Sequence, residues 1–371
     1  MKKIIYALII AVLFLPLFSV EVFCTENSGD ISENTGEELF SIMDYETLKA
    51  LEEFGIESID YTEIYDVSFD TLIDYFSTDI KEKATQAVKL FVTLSAMILI
   101  IFAIKTLADE SFADIIDLLS TMIITLIVVM NLNSVINSVL SVINVSSKFM
   151  MGYIPIFAGL LALSGNPSAA LTYNTLALAV CEGISAFSNS IAISIIGVFY
   201  CLSISFSMNE NFNLSRLVSA FSRVCSVALG FVASVFASFL SIRGIMSANV
   251  DTVSAKGIRF IISSAIPVVG SAISDAYSSL LGSLSIIKGS VAFIGILSCL
   301  IINIPAITQA LLYFTVLSVL SFFCEAASNA KVSQLLKAFA AGIKFLLLIQ
   351  IFEMFVLIIS TGLMMNMKSA I

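Results

Sequence analysis

The sequence has no histidine, only 5 prolines, and charged side chains at just 12% of its 371 positions. Without histidine, the chain has no His-based acid–base catalyst, no histidine metal ligand and no Ser-His-Asp triad. Soluble domains carry about 25% charged and about 45–50% apolar residues, whereas 58% of this chain is hydrophobic. The composition excludes a soluble enzyme and predicts an all-α, polytopic integral membrane protein.

Motifs for cofactors and metals are also missing from the sequence. The six cysteines form no CxxC pair and have mostly apolar neighbours, which is typical of small buried side chains. The sequence contains no GxxxxGK[ST] loop and no GxGxxG after a strand. It therefore predicts no catalytic residues, no cofactor, no metal site and no enzymatic activity.

The net charge of −10 comes from one short segment. Residues 25–82 contain 17 acidic and 2 basic side chains, whereas residues 83–371 contain 10 acidic and 14 basic ones. An acidic face repels phosphate, which argues against nucleic acid as a partner. The charge pattern indicates an acidic segment ahead of a membrane part.

The first 24 residues have the three zones of a secretory signal peptide. A basic start at residues 1–3 precedes an apolar run from Ile4 to Val20 and a cleavage region before Thr25. An uncleaved first span is the alternative. In both interpretations the positive start stays inside, and the acidic segment 25–82 is extracytoplasmic.

The acidic segment itself changes character along its length. Its first residues are rich in Ser, Glu, Gly and Asn, which predicts disorder. Further on, Ile42, Leu48, Leu51 and Phe54 recur among the acids and predict one or two short amphipathic helices. The segment is either a solvated cap or a docking surface for a partner.

The rest of the chain has long uncharged runs, and a spanning helix needs about 20 apolar residues. The runs predict about 7–8 transmembrane helices, with spans at 86–104, 115–133, 169–187, 188–207, 224–242, 288–305, 306–325 and 343–363. The span 288–305 is short enough to form half of a tight hairpin that turns at Asn303–Pro305. Nothing shows the alternating ten-residue segments typical of an outer-membrane barrel.

Self-similarity predicts an internal repeat. Lys148–Gly159 resembles Arg259–Gly270, and Ser215–Phe221 resembles Ser333–Phe339. The chain then divides into the first two transmembrane helices at 83–133, membrane repeat 1 at 134–243 and membrane repeat 2 at 244–371. With an odd number of spans in each unit, the copies would run in opposite directions, as in many transporters.

Proline and glycine mark the predicted helix breaks. Proline inside a helix removes a backbone donor and clashes with the preceding turn, and freed backbone groups at membrane depth must face protein or water. Broken or re-entrant helices, with backbone that could line a pore, are predicted at Pro155, Gly159, Gly165, Pro167, Pro267, Gly270 and Pro305. An ordinary kink or an interfacial amphipathic helix is the alternative.

Four ionisable residues fall at the predicted membrane depth: Glu182, Asp275, Lys288 and Glu353. Each costs at least about 2.5–3.5 kcal/mol there, so each is expected to face a cavity, a pore or a partner. Glu182 could instead cap a helix or pair at an interface. A bend could bring Asp275 to Lys288, and Glu353 is a candidate for contact with a neighbouring subunit.

The order of these features resembles the stage III sporulation protein AE family of endospore-forming bacteria. The likeness rests on the Ile-Pro segment before Ser164-Gly165, on Arg259-Phe260 before a second Ile-Pro, and on Asp275-Ala276 and Lys288. It covers most of the chain after the acidic segment, and its most specific stretch is Gly257–Gly295.

The resemblance implies a membrane subunit of a channel- or secretion-like complex that connects mother cell and forespore and is required for forespore development. Its implied place is the mother-cell membrane around the forespore. The implied partners are other stage III sporulation membrane proteins, a secretion-type ATPase and a forespore protein across the intermembrane space. Two alternatives stay open: a secondary transporter that couples ions through intramembrane carboxylates, and a passive assembly scaffold.

Overall fold

The computed structural model describes residues 29–65, 67, 69–107, 112–207, 214–227, 230–231, 234, 238, 270–326 and 329–365. These residues form helices with short connections, and none of them lies in a β-strand. The predicted all-α class is confirmed for this part of the chain. The predicted signal peptide (1–24), Pro267 and most of the predicted span 224–242 lie outside it.

Three short helices precede a set of much longer ones. The short helices are α1 (Gly29–Ser41), α2 (Tyr45–Glu53) and α3 (Tyr61–Tyr65). The long ones are α4 (Phe69–Leu107), α5 (Ala113–Leu163), α6 (Pro167–Phe187), α7 (Ile193–Ser207), α8 (Gly270–Ala326) and α9 (Ala330–Met365). A π-helical turn, Ser188–Ala192, joins α6 to α7, so that the two form one continuous rod.

Five of these helical stretches are long and apolar enough to cross a membrane: Asp70–Leu107, Ile115–Leu163, Pro167–Ser207, Leu281–Ala326 and Ala330–Gly362. The chain is an all-helical membrane protein. Within the described residues its apolar helices are longer than predicted, because 169–187 and 188–207 lie on one rod and 288–305 and 306–325 lie on another. The 57 residues of α8 extend about 86 Å, against about 30 Å for the hydrocarbon core of a bilayer.

Two of the predicted breaks lie inside continuous helices. Pro155 is within α5, so the helix does not end there as predicted. Pro305 is within α8, so the predicted hairpin at Asn303–Pro305 does not form. A proline in a helix costs about 3 kcal/mol locally. The flanking residues of α8 are buried against other helices, and this packing offsets the cost.

The chain does reverse direction between α5 and α6, at Gly165. Gly165 has a φ of 86°, a left-handed conformation that glycine adopts without strain. Its N–H donates to the carbonyl of Ala162, and the N–H of Asn166 donates to that of Leu161, the paired bonds of a Schellman cap. Pro167 then begins α6, a position where its missing N–H costs nothing.

Helix α6 runs antiparallel to α5. Ser147 Oγ on α5 donates to the carbonyl of Cys181 at 3.4 Å. Ten residues further along α5, the ring of Phe157 packs edge-on against Tyr173, with ring centroids 5.4 Å apart. The residue numbers rise on one helix while they fall on the other, so the pair is antiparallel.

Helix α8 is also antiparallel to α5. Asn303 Nδ2 donates to Ser146 Oγ at 3.1 Å, and the ring of Tyr153 lies directly on Gly295. The rods α6–α7 and α8, which the predicted repeat equates, are therefore parallel to each other. The predicted inverted orientation is wrong for the described rods. The spans 169–187 and 188–207 were expected to form a hairpin, and so were 288–305 and 306–325, but each pair lies on one continuous rod.

The acidic helices pack against the long ones. A Cβ on Gly152 of α5 would lie 2.8 Å from Ile42, so only glycine leaves room for this contact. Met43 Sδ lies 3.7 Å from Ser298 Oγ on α8, and Leu51 is fully buried. The apolar faces of α1–α3 belong to the core, while the carboxylates of Glu33, Glu37, Glu38, Glu46, Glu52 and Glu53 on α1 and α2 remain exposed.

Candidate functional site: a buried polar cluster between four helices

Five polar side chains meet where α5, α6, α8 and α9 pack together. They are Ser146 and Ser147 on α5, Asn303 on α8, and Gln350 and Glu353 on α9, and none is more than 1% exposed. Helix α6 contributes the backbone carbonyl of Cys181, which accepts a hydrogen bond from Ser147 Oγ. Gln350 and Glu353 lie three residues apart, which places them on the same face of α9.

The two amides connect the helices through their nitrogen atoms. Asn303 Nδ2 donates to Ser146 Oγ at 3.1 Å and to the carbonyl of Cys299 at 2.9 Å. Gln350 Nε2 donates to the backbone carbonyl of Asn303 at 3.3 Å. These bonds hold α5, α8 and α9 in register, and they fix the side of each amide on which the oxygen lies.

Oxygen acceptors without donors remain at the centre of the cluster. Asn303 Oδ1, Gln350 Oε1 and both carboxylate oxygens of Glu353 have no hydrogen-bond partner among the described residues. Buried polar atoms are normally hydrogen-bonded, and each that is not costs about 1–3 kcal/mol. The cluster is therefore rich in acceptors and poor in donors.

Glu353 lies inside its own chain. Its electrostatic neighbours are Ser147, Cys181 and Cys299, and it forms neither of the described salt bridges, Lys105–Asp117 and Lys337–Glu325. The predicted contact of Glu353 with a neighbouring subunit is thus replaced by contacts within the bundle. A lone buried carboxylate beside the Ser147 hydroxyl has the chemistry to hold a proton.

The other predicted charges are not part of this cluster. Glu182 is exposed on α6, and Lys288 is buried on α8. Asp275 and Lys288 lie 13 residues apart on the same continuous helix, so their backbone positions are about 20 Å apart along its axis and the helix does not turn back between them. Among the described residues, no three His, Cys, Asp or Glu side chains converge as metal ligands.

The predicted break residues are also spread over the fold. Gly165 and Pro167 form the α5–α6 turn, and Gly270 is the first residue of α8. Pro155 and Gly159 are exposed on α5, so neither faces the polar cluster. The structure does not bring these residues together in one site.

Ser146 and Gln350 were not identified as site residues from the sequence, and Asn303 was assigned to a turn. All three are uncharged, so a search for ionisable groups passes over them. Spacing would have found part of the cluster, since an amide three residues before a carboxylate in an otherwise apolar helix marks one polar face.

The fold and the cluster define a class: an all-helical membrane protein with a buried polar cluster between its helices. A family model described as "Stage III sporulation protein AE (spore_III_AE)" matches residues 51–367. The chain belongs to the stage III sporulation protein AE family, and the resemblance predicted from the sequence is confirmed.

A relative from Bacillus subtilis (strain 168), described as "Stage III sporulation protein AE", is 26% identical over 193 residues. The match covers 51% of this chain and 48% of the relative, so it spans about half the length of that protein. No solved structure matches the chain.

Proposed function

We propose that this chain is a non-enzymatic membrane subunit of a channel- or secretion-like assembly that connects mother cell and forespore during endospore formation. The single observation that supports this most is the family match over residues 51–367, which includes all five long apolar helices. In this proposal the chain lies in the mother-cell membrane around the forespore, and its absence blocks forespore development.

The proposed partners fall into two groups. Other stage III sporulation membrane proteins and a secretion-type ATPase would bind on the mother-cell side. A forespore protein would meet the acidic helices α1–α3 across the intermembrane space. The exposed carboxylates of these helices, with Glu37, Glu38, Glu52 and Glu53 among them, favour a basic surface on that partner.

Co-purification tests the assembly. A tagged chain is expressed in a sporulating host in place of the host's own family member, cross-linked during engulfment, and purified in mild detergent. Other stage III sporulation membrane proteins should be recovered, and a tagged, unrelated polytopic protein from the same membrane should recover none of them. Purification of the chain as a lone monomer after cross-linking would contradict the proposal.

A charge-neutralised variant separates the two groups of partners. Glu37, Glu38, Glu52 and Glu53 are changed together to Gln, which leaves the buried faces of α1 and α2 intact. The cross-link to the forespore partner should be lost while the mother-cell partners are retained. If the variant kept the cross-links to both groups of partners, these carboxylates would not bind the forespore partner, and the acidic helices would contribute to stability alone.

The buried cluster supports a second candidate, a secondary transporter that uses Glu353 for ion coupling. Purified chain in vesicles loaded with a pH-sensitive dye should then move protons when a Na⁺ gradient is imposed. Glu353→Gln should abolish this movement, whereas Glu182→Gln, at an exposed position, should not. Equal dye responses from vesicles with and without the chain would exclude the transporter. The chain would then be an assembly subunit or a passive scaffold.

A further inference from the structure

Most of the exposed large apolar side chains lie on one length of the bundle, and Met151, Leu163 and Leu171 are isolated exceptions outside it. On α4 they run from Val88 to Leu107, and around the α4–α5 turn and on α5 they run from Phe112 to Met130. These lengths of 20 and 19 residues extend about 30 Å, the thickness of the hydrocarbon core of a bilayer. Exposed apolar residues on α7 and α8, such as Val198 and Phe322, continue the same surface. We call this surface the belt.

Beyond the belt, the exposed faces of the same helices become polar. After Met130, the exposed positions of α5 include Asn133, Asn137, Ser141 and Lys148. Before Val88, those of α4 include Asp70, Asp74, Thr78, Lys81 and Glu82. A hydrocarbon environment would leave all of these groups without water, so the change of surface marks one edge of the belt.

The other edge of the belt is marked by ion pairs at two helix turns. Lys105 Nζ lies 2.8 Å from Asp117 Oδ1 between α4 and α5, and Lys337 pairs with Glu325 between α8 and α9. Both pairs lie next to the connections of antiparallel helices. Ion pairs therefore lie within about two helical turns of this end of the belt.

The acidic helices lie beyond the polar edge. Their contacts to Gly152 on α5 and Ser298 on α8 are 22 residues past Met130 and 24 residues before Phe322, respectively. The exposed carboxylates of α1 and α2, Glu37, Glu38, Glu52 and Glu53 among them, lie at that level. Each would cost at least about 2.5 kcal/mol in hydrocarbon, so the bilayer does not reach this part of the bundle.

We propose that lipid hydrocarbon contacts the belt alone, and that the remaining half of the bundle is an extramembrane domain. This domain, the capped half, consists of α1–α3, residues 69–86, 133–187 and 281–305, and the part of α9 around Glu353. The polar cluster lies in it, next to the bilayer and outside the hydrocarbon. The inference rests on the membrane class of the chain and not on its role in sporulation.

Single tryptophans test the placement, since the sequence contains no tryptophan of its own. Leu126→Trp lies in the belt, and Ser141→Trp lies on the exposed face of the same helix, about 22 Å further along. Leu99→Trp and Thr78→Trp form a matched pair on α4. All four sites are exposed, so the substitutions leave the packing of the bundle intact; circular dichroism and size-exclusion chromatography check this.

Purified variants are reconstituted in phosphatidylcholine vesicles with and without brominated acyl chains. Bromine should reduce the emission of Leu126→Trp and Leu99→Trp by about twofold or more, because both lie within the hydrocarbon thickness. Ser141→Trp and Thr78→Trp should be unchanged by bromine and quenched by iodide present on both sides of the membrane.

Two results would overturn the proposal. Quenching of Ser141→Trp and Thr78→Trp by bromine as strong as that of the belt variants would place the whole bundle in the bilayer. Bromine-insensitive emission from Leu126→Trp and Leu99→Trp would mean that a second copy or another protein covers the belt. Neither result depends on recovery of sporulation partners. Failure of this placement can therefore be distinguished from failure of the proposed assembly.

Discussion

The belt and the capped half are built from the same helices but follow different packing rules. In the belt, apolar side chains point outward, and α4 and α5 bury only 28% of their most apolar windows. In α8 and α9, each of which runs through both the belt and the capped half, that share is 72%. A hydropathy scan treats these segments alike, so apolar composition alone does not separate a lipid-facing helix from one that forms a protein core.

Polar groups have different roles in the capped half and at the ends of the belt. In the capped half they connect helices, as Asn303 and Gln350 do, or lie unpaired at the centre, as Glu353 does. At the ends of the belt they mark the boundary, as Lys105 and Asp117 do. The substitutions below test this difference, beginning with the largest expected effect.

Gly295→Ala should destabilise the capped half most. The added Cβ would overlap the ring of Tyr153, which is fully buried and cannot move away. Overpacking of this kind costs about 1–3 kcal/mol or more, and thermal unfolding of the purified protein should shift to lower temperature. Gly159→Ala, where nothing lies within 4 Å, is the control.

A matched substitution lies in the other half of the bundle. Gly342→Ala would meet the ring of Tyr200, which is partly exposed, unlike the fully buried ring of Tyr153. Its effect should be smaller than that of Gly295→Ala. An equal or larger effect would show that packing is as tight beside the belt as around the polar cluster.

Glu353→Gln should raise the thermal stability at neutral pH by about 1 kcal/mol or more. The substitution keeps the shape of the side chain and replaces a buried carboxyl group, which has no counter-ion among the described residues, by an uncharged amide. Glu182→Gln, on the exposed face of α6, should change stability by less than about 0.5 kcal/mol. A strong loss of stability in Glu353→Gln would instead indicate that a bound cation holds the cluster together.

Asn303 and Ser146 should be energetically coupled. Each of Asn303→Leu and Ser146→Ala removes one partner of a buried hydrogen bond, and the double variant removes both. A double-mutant cycle on thermal or denaturant unfolding should give a coupling energy of about 1 kcal/mol. Strict additivity would mean that the bond does not contribute to the α5–α8 contact.

Lys105→Gln should have a small effect, below about 1 kcal/mol, because an ion pair near water gains little. The lysine side chain is 34% exposed, and its partner Asp117 is 16% exposed. Lys337→Gln should cost even less, since both side chains of that pair are more exposed. Unfolding of both variants at low and high salt measures this, and a cost above that of the Asn303 variants would contradict the contrast between the two regions.

The sequence was sufficient to predict the helical class, the long apolar segments and the family, because hydropathy over 20 residues is a strong signal. It did not predict where the helices end. At Asn303–Pro305, the local preference for a break competes with burial of the residues on both sides, and tertiary packing prevails. At Gly165 no such packing opposes the turn, and the break falls where glycine and proline favour it.

The site was only partly predictable for a similar reason. Glu353 could be identified from its charge in an apolar run, but its neighbours come from three other helices. Ser146 and Asn303 are 157 positions apart in the chain, and no local pattern connects them. The inverted repeat was inferred from a count of turns, and two turns that the structure lacks were enough to reverse the conclusion.

The contact between Met43 and Ser298 has a consequence for biosynthesis. The two residues are separated by 255 positions, so α1–α3 leave the ribosome long before the helix on which they rest. Contacts of such long range form late, and until then the apolar faces of these helices lack their cover. A truncated or stalled chain that ends before α8 should therefore expose them to proteases, which gives the cell a means of removing incomplete copies.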